Sequence, residues 1–152
     1  MEKTGGHNRR MKEGKREMKI KLDPDAYMPE RAHEADAGLD IKTPDSFSVP
    51  AGGQITIDTG IHIAIPAGHV GLITSKSGLM LKGITSRGTV DCGYTGSIKA
   101  VLFNHGQSDI AFQKGQKITQ LVIVPIINPD LEIVAALDET DRGDGGFGSS
   151  GK

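Results

Sequence analysis

Apolar and polar residues alternate along several short segments of the chain, as they do in strands with one buried face. These segments are separated by turn-forming residues such as Asp58-Thr59-Gly60 and Pro66-Ala67-Gly68. The pattern predicts strands over residues 18–22, 55–57, 61–65, 70–73, 97–103 and 118–127. Only Lys76 to Lys82 favours a helix, a turn or two that Gly83 would end. Many short strands joined by such turns predict an all-β fold, an antiparallel sandwich or a barrel.

Both ends of the chain differ in composition from this central part. Residues 1–18 carry six basic and three acidic side chains and almost no apolar ones, so we expect a disordered head. This head is either a basic arm for nucleic acid or a partner, or an extension without a selected role. Residues 142–152 contain five glycines and favour a flexible arm. We therefore predict a disordered head at 1–17, a β-barrel core at 18–137 and a Gly-rich arm at 138–152.

Charge, cysteine content and hydropathy exclude several classes of function. The 152 residues include 18 Lys and Arg against 19 Asp and Glu, which leaves no positive field for nucleic acid or an anionic membrane. The single cysteine, Cys92, excludes a disulfide framework and a cysteine-based zinc site. The longest apolar run, residues 121–127, has seven residues and cannot span a bilayer. These features predict a soluble, cytoplasmic protein with no nucleic-acid or membrane partner.

Two turns, the second of them Gly-rich, carry polar residues suited to nucleotide chemistry. In Ser75-Lys76-Ser77-Gly78, Ser75 would cap the short helix and leave free N–H groups beside an ammonium and a hydroxyl, a cradle for polyphosphate. The plainer alternative is a capped turn with a solvated lysine. Asp91 stands at a strand end next to Tyr94, among glycines that permit close backbone approach, or it is an ordinary turn former. Asp40 could serve a hard cation or be a surface carboxylate.

The Gly-rich arm also contains residues that a plain linker does not need. Arg142, Phe147 and the pair Ser149-Ser150 stand among its glycines. Such side chains bind phosphate, stack on a base and donate hydrogen bonds. A flexible tail without a role is the alternative that composition alone leaves open.

Five motifs occur in a fixed order along the chain. They are Asp36-Ala37-Gly38-Leu39-Asp40-Ile41, Ser75-Lys76-Ser77-Gly78-Leu79, Gly88-Thr89-Val90-Asp91-Cys92-Gly93-Tyr94-Thr95-Gly96-Ser97-Ile98, Gly115-Gln116-Lys117-Ile118-Thr119-Gln120-Leu121 and the arm with Arg142 and Phe147. In this order they closely resemble the five motifs of the trimeric deoxyuridine triphosphatase (dUTPase) family over residues 18–152. The short segment at residues 83–88 resembles its bacterial and phage subset. Lys76, where the family most often has Arg, and Thr85, where it often has Asn, depart from the family pattern.

The resemblance implies a jelly-roll homotrimer whose three active sites are shared among subunits. It implies Mg²⁺-dependent hydrolysis of dUTP to dUMP and pyrophosphate, which limits uracil incorporation into DNA and supplies dUMP for dTMP synthesis. Asp91 would be the general base for the attacking water, Gln120 would position that water or contact phosphate, and Asp40 would hold the metal through water. The residues expected to bind substrate are Lys76, Ser77, Gly78, Gly88, Thr89, Tyr94, Arg142, Phe147, Gly148, Ser149 and Ser150.

Two alternatives to this activity differ at particular residues. A dCTP deaminase is similar in fold but carries a catalytic Glu just downstream of the turn, where this chain has Val101. Hydrolytic deamination without that proton shuttle is implausible. A nucleotide-gated regulatory binding protein of the same fold is the second alternative. A chain kept only for binding should have lost Asp91, Tyr94 or Arg142, and all three are present.

Overall fold

The structure, a computed structural model, describes residues 17–148 and residue 151. Within those residues it is nearly all β, which confirms the predicted fold class. No helix in this part of the chain has the length and apolar character needed to cross a membrane. The elements in order are β1 (Ile20–Leu22), β2 (Gly38–Lys42), β3 (Phe47–Val49), β4 (Gln54–Asp58), β5 (Ile61–Ile63), β6 (His69–Thr74), α1 (Ser77–Met80), β7 (Ile84–Val90), β8 (Lys99–Asn104), β9 (Ile110–Phe112) and β10 (Lys117–Pro125).

Six strands form one antiparallel sheet in the order β2-β10-β6-β7-β8-β4, and two ribbons, β1-β5 and β3-β9, accompany it. Strand β10 pairs with both β2 and β6, so Gln120 lies between Asp40 and Thr74. On the other side of β6, Thr74 faces Arg87 of β7. Residues directly opposite in neighbouring strands point to the same face. Asp40, Gln120, Thr74 and Arg87 therefore form one polar row across four strands.

Two apolar clusters make up the core, and each joins the large sheet to one ribbon. Alternation along the strands places their side chains inward, as in β8, where Ala100 and Leu102 are buried between more exposed neighbours. The cluster beside β1-β5 contains Ile41, Ile61, Ile63, Ile65, Ile73, Val90, Ile98 and Leu121. The cluster beside β3-β9 contains Val49, Leu79, Ile84, Ala100, Leu102, Phe112 and Ile118. This core fixes the ends of β6, β7 and β10, where the candidate site lies.

The regular structure ends at Pro125, and residues 126–148 contain no helix or strand. The Ile126 N–H donates to the Gly68 carbonyl at 2.9 Å, which fixes the start of this segment. Beyond it, most of the large apolar side chains are almost fully exposed, among them Ile127, Leu131, Ile133, Leu137 and Phe147. The division predicted at residue 137 stays a prediction, and residues 1–16 of the head lie outside the described residues.

Candidate active site

A pocket of about 200 Å³ opens where β7 ends and the loop of residues 91–98 begins. Asp91 follows the last residue of β7, as predicted, and Tyr94 donates its backbone N–H to the Asp91 carbonyl at 3.1 Å. We call this the Asp91 pocket; it is lined by Ile73, Gly88, Thr89, Val90, Asp91, Tyr94, Ile98 and Lys99. The structure thus brings together four predicted site residues: Gly88, Thr89, Asp91 and Tyr94.

Glycine at position 96 allows the Tyr94 ring to lie across this loop. The Tyr94 hydroxyl donates to the Ser97 carbonyl at 2.9 Å. A Cβ on Gly96 would lie only 2.5 Å from the Tyr94 Oη and 2.6 Å from its Cζ, far inside normal contact. A side chain at position 96 is therefore incompatible with the ring as it stands.

One wall of the Asp91 pocket is formed by Lys99, which the sequence motifs did not single out. The Lys99 ammonium forms an ion pair with Asp58 of β4, and the Ser97 hydroxyl donates to the same carboxylate. The Lys99 hydrogen bond, followed by that from Ser97, lowers the pKa of Asp58 to about 2. Asp58 lies 41 residues away in the chain, so no local pattern could have linked it to this pocket.

A second polar group surrounds Asp40 in the middle of β2. Asp40 is only 4% exposed, yet one carboxylate oxygen accepts from the Lys76 ammonium and the other from Lys117 Nζ at 2.7 Å. Burial alone would raise the pKa of Asp40, but the hydrogen bonds from Lys117 and Lys76 outweigh it and hold that pKa below its usual value. Asp40 is therefore an ionised carboxylate with two cationic partners, not a surface residue.

Gln120 completes this group, which we call the Asp40 cluster: Asp40, Lys76, Lys117 and Gln120. The Gln120 side-chain amide donates to the Ser75 carbonyl at 3.1 Å, immediately before Lys76. Its carbonyl end occupies the space beside Gly38, where any Cβ would overlap it. The predicted residues Asp40, Lys76 and Gln120 are thus neighbours, and Lys117 is a partner that the sequence reasoning missed.

The prediction that Ser75 caps the short helix is wrong. The N-cap position is Lys76, without a side-chain capping bond. Instead, the Ser75 hydroxyl donates to the Ser86 carbonyl at 2.9 Å and accepts from the Ser86 N–H at 2.8 Å. These two side-chain bonds extend the hydrogen bonding between β6 and β7 by one residue beyond their last backbone pair, Thr74 and Arg87. They also fix the position of the adjacent Lys76 relative to the sheet. Ser77 and Gly78 follow in α1 and are exposed.

The Asp91 pocket and the Asp40 cluster lie at different levels of the sheet. Gly71 pairs with Val90 at one end of β6, whereas Thr74, beside Gln120, lies three residues further along the strand. With about 3.3 Å per residue, Asp91 is roughly 13 Å from the level of the Asp40 cluster. Within one chain, the predicted base and the predicted phosphate-binding residues are therefore in separate places.

The predicted arm residues are not joined to either group by a hydrogen bond or ion pair within the described residues. The Arg142 Nε donates to the Gly145 carbonyl at 2.8 Å, and the Phe147 side chain is fully exposed. Phe147 has a backbone φ of 50° and Gly148 one of 88°. Ser149 and Ser150 lie outside the described residues.

Comparison with known proteins adds relatives that span nearly the whole chain. A sequence model of the dUTPase family matches residues 25–151. The deoxyuridine 5'-triphosphate nucleotidohydrolase of Clostridium acetobutylicum is 42% identical over 135 residues, covering 86% of this chain and 93% of that protein. The enzyme of the same name from Debaryomyces hansenii is 41% identical over 150 residues, covering 95% and 94%.

Solved structures give the same result. The dUTPase of Staphylococcus bacteriophage 80alpha with dUpNHpp superposes with a TM-score of 0.85 at 32% identity, covering 90% of this chain and 99% of that one. A point mutant of the dUTPase from phage phi11 of S. aureus, described with a structural Mg(II) ion, superposes with a TM-score of 0.75 at 29% identity, covering 80% and 98%. On sequence and on structure alike, the chain belongs to the dUTPase family.

Proposed function

We propose that the chain hydrolyses dUTP to dUMP and pyrophosphate, that is, that it is a dUTP diphosphatase. The Asp91 pocket is the observation that carries this proposal. It combines one exposed carboxylate, one tyrosine ring and a strand backbone that bears a glycine. Such a pocket can offer main-chain hydrogen bonds to a nucleobase, a flat surface to a sugar and a base to water.

Asp91 is the general base of the proposed mechanism. No side chain among the described residues forms a hydrogen bond or ion pair with its carboxylate, which leaves it open to water. It accepts a proton from that water while the water oxygen bonds to the α-phosphorus. The bond from the α-phosphorus to the bridging oxygen breaks, and pyrophosphate leaves with that oxygen. Because no covalent enzyme intermediate forms, positioning and electrostatic stabilisation must supply most of the acceleration.

The opposite side of the Asp91 pocket selects the nucleoside. Tyr94 packs beneath the deoxyribose and leaves no room for a ribose 2'-hydroxyl. Backbone groups of Gly88 and Thr89 pair with the uracil edge, in a space too small for the thymine methyl group. A site that hydrogen-bonds a base edge rejects bases that would leave those groups unpaired.

The triphosphate is bound by the Asp40 cluster and the residues that follow Lys76. Lys76 supplies an ammonium, Ser77 and Gly78 supply exposed groups at the start of α1, and Gln120 contacts phosphate or positions the attacking water. Cations and amide donors of this kind stabilise phosphate charge. Since this cluster and Asp91 are roughly 13 Å apart along the sheet, the site is completed between copies of the chain.

We propose a homotrimer with shared active sites, and two features of the chain support association between copies. The sheet face that carries the row Asp40–Gln120–Thr74–Arg87 also carries Leu72, Phe103 and Val122, all incompletely buried. The segment after Pro125 exposes a series of large apolar side chains. Groups of exposed apolar side chains are characteristic of surfaces that contact another protein chain.

Mg²⁺ is the proposed cofactor. No group of three or more His, Cys, Asp or Glu side chains able to hold a metal occurs among the described residues, and both Asp40 oxygens accept from lysines. This donor set fits an ion that takes most of its ligands from phosphates and water, as Mg²⁺ does. When bound, it would offset the triphosphate charge, and Asp40 would hold it only through water.

The arm closes the site in this proposal. Arg142, Gly148, Ser149 and Ser150 bind the phosphates, and Phe147 stacks on uracil, in a site of a neighbouring copy. Closure excludes water and completes the set of cations around the triphosphate. A purely regulatory binding role is not favoured, because the curated relatives share the name of the hydrolase and the proposed catalytic residues are present.

Pyrophosphate release from dUTP, dCTP, dTTP and UTP with Mg²⁺ tests the proposal. The proteins compared are the intact chain, Asp91→Asn, a truncation lacking residues 138–152, and Cys92→Ser as a control in the same exposed loop. We expect turnover of dUTP alone and a loss in Asp91→Asn of about 10²–10⁴ in kcat, the usual contribution of a general base. The truncation should also lose most activity, and Cys92→Ser should keep it. Intact chain without dUTP turnover would refute the proposed function.

A further inference from the structure

His62 of β5 joins three segments that are distant in the sequence. Its Nε2 lies 3.0 Å from an Asp23 carboxylate oxygen in the turn after β1, and its Nδ1 lies 2.8 Å from the Thr95 carbonyl. The side chain is only 20% exposed. Thr95 belongs to the loop 91–98 and directly follows Tyr94, so His62 holds the loop that lines the Asp91 pocket.

Both partners of the His62 ring are hydrogen-bond acceptors. A carbonyl oxygen cannot donate, and neither can an ionised carboxylate. A neutral imidazole has one N–H and one lone pair, so one of the two contacts would place lone pairs against each other. Both bonds form together only when the ring is the doubly protonated imidazolium.

The charged groups around His62 agree with this protonation state. The Asp23 hydrogen bond, followed by that to the Thr95 carbonyl, raises the pKa of His62 above its usual value, and the ring in turn lowers the pKa of Asp23. Lys21 of β1 faces His62 in register. Lys19, just before β1, lines a surface cavity together with Lys21, His62 and Thr95. Lys21 opposes the ring's charge, but more weakly than the two hydrogen bonds favour it, and its Nζ lies 3.4 Å from Asp23. Among the described residues, the hydrogen bond that the loop makes to the ring is the one accepted by the Thr95 carbonyl, which carries no charge.

We propose that His62 is a positioning residue of the nucleotide site, whose imidazolium holds the loop 91–98 with Tyr94 in place for dUTP. Within the loop, Tyr94 donates its backbone N–H to the Asp91 carbonyl and its hydroxyl to the Ser97 carbonyl. The end of the loop is tied to the fold through Ser97 and Ile98, and His62 adds a tie at Thr95, directly beside Tyr94. The role rests on the proposed function, because it acts through the residues assigned there to dUTP.

The sign of the pH dependence follows from the raised pKa. Below the ordinary value of 6.5 the ring is fully charged, and both bonds are present. They are lost as the pH rises through the higher pKa that His62 has in the folded protein. The KM for dUTP should therefore rise on the alkaline side of pH 6.5, with little change in kcat, since His62 does not contact the reacting atoms.

The test compares KM and kcat for dUTP between pH 6 and 9 in wild type, His62→Gln, His62→Arg and the control His69→Gln. Among the described residues, the hydrogen-bond partner of the His69 ring is the nearby Ala67 carbonyl. A glutamine side chain cannot donate hydrogen bonds in two opposed directions, so His62→Gln loses one of the two bonds. Its KM for dUTP should be about three- to tenfold above the wild-type value at pH 6, which is the effect of one charged hydrogen bond at a partly exposed site. That ratio should fall towards one at high pH. Arginine, always charged and with several donors, should keep KM low at high pH.

The outcomes separate this role from a purely structural one. Substrate ionisation is common to all four proteins, so only ratios between variants matter. A Gln-to-wild-type KM ratio of one at every pH, or a raised ratio that does not change with pH, would overturn the proposal. So would ¹⁵N NMR spectra showing a neutral His62 ring at pH 6.5. If none of the proteins hydrolysed dUTP, the proposed function itself would fail, whatever the state of the ring.

Discussion

Replacing Gly96 with alanine tests whether the Tyr94 ring forms part of the nucleotide site. The added Cβ would lie 2.5 Å from the Tyr94 Oη and 2.6 Å from its Cζ, whereas ordinary van der Waals contact begins at 3.4 Å. The atoms in conflict belong to a rigid ring that is fixed by its bond to the Ser97 carbonyl. The whole ring must therefore move by about 1 Å to restore normal contact.

The size of the effect follows from that displacement. Misplacing a positioning group by about 1 Å can cost up to about 10²-fold in rate, so we expect kcat/KM for dUTP to fall by about 10- to 100-fold. Discrimination against UTP should weaken too, because Tyr94 is assigned the exclusion of the 2'-hydroxyl. Gly96 does not have a positive φ and Tyr94 is 44% exposed. The free energy of unfolding should therefore change by no more than about 1 kcal/mol.

The matched control is Gly93→Ala in the same loop. A Cβ there meets nothing within 4 Å, and the backbone again has no positive φ. Pyrophosphate release at several concentrations of dUTP and UTP gives kcat/KM for each variant, and thermal unfolding of the same samples checks the fold. Equal kcat/KM values in the two alanine variants would refute the assignment of Tyr94 to the site.

Two further predictions concern Gln120 and Asp58. In Gly38→Ala the new Cβ displaces the flexible end of Gln120 rather than backbone, so kcat for dUTP should fall by about tenfold; unfolding free energy should change by less than about 0.5 kcal/mol. A stable variant with unchanged kcat would remove Gln120 from the mechanism. Because the pKa of Asp58 is lowered from 3.8 to about 2, its ion pair with Lys99 stabilises the fold above pH 3.8 and is lost as the pH falls towards 2. Asp58→Asn should lower stability at pH 6 by at most about 1 kcal/mol, since Asp58 is 57% exposed, and wild type and variant should converge in acid denaturation near pH 2.

Alternation predicted the strands that have one apolar face and enough length to show it. The segments predicted at residues 55–57 and 97–103 place every second side chain towards the core, and the structure has β4 and β8 there, with β8 beginning at Lys99 rather than at residue 97. Alternation did not predict β7, but the Gly-rich turn around Asp91 placed that residue at a strand end, and β7 does end at Val90. Turn residues predicted the boundaries between elements, as at Gly83, whose φ of 80° ends the turns that follow α1.

Strands whose sequence shows no alternation of apolar and polar residues were not predicted. β3 and β9 have three residues each, too few to show alternation, and they pair across more than 60 residues of chain. The sequence of β7, Ile-Thr-Ser-Arg-Gly-Thr-Val, shows no alternation of apolar and polar residues, because one of its buried positions is the polar Ser86. Ser86 is buried with its hydroxyl bonded to that of Thr119 at 2.6 Å. A polar residue inside the sheet needs a partner from β10, and no local pattern reveals that partner.

The candidate site was predicted as residue types, not as an arrangement. Asp40, Lys76 and Gln120 come from three strand regions, and only the pairing of β2 with β10 and β10 with β6 makes them neighbours. The same pairing brings in Lys117, which looks like an ordinary solvated lysine in the sequence. For Ser75 the residue type was misleading. Serine is a common helix cap, but the Ser75 hydroxyl instead bonds to the backbone carbonyl and N–H of Ser86 in β7.

The two lysines on Asp40 also bear on how quickly products can leave. Lys76 cannot serve the triphosphate and Asp40 equally well, so nucleotide binding would draw it from the carboxylate. Lys117 would stay bound to Asp40, so the buried carboxylate would keep one cationic partner. A buried charge without a partner would be strongly destabilising. Part of the attraction between Lys76 and phosphate is thus offset by the bond it gives up. Once pyrophosphate begins to depart, the return of Lys76 to Asp40 would favour its release and ready the site for another turnover.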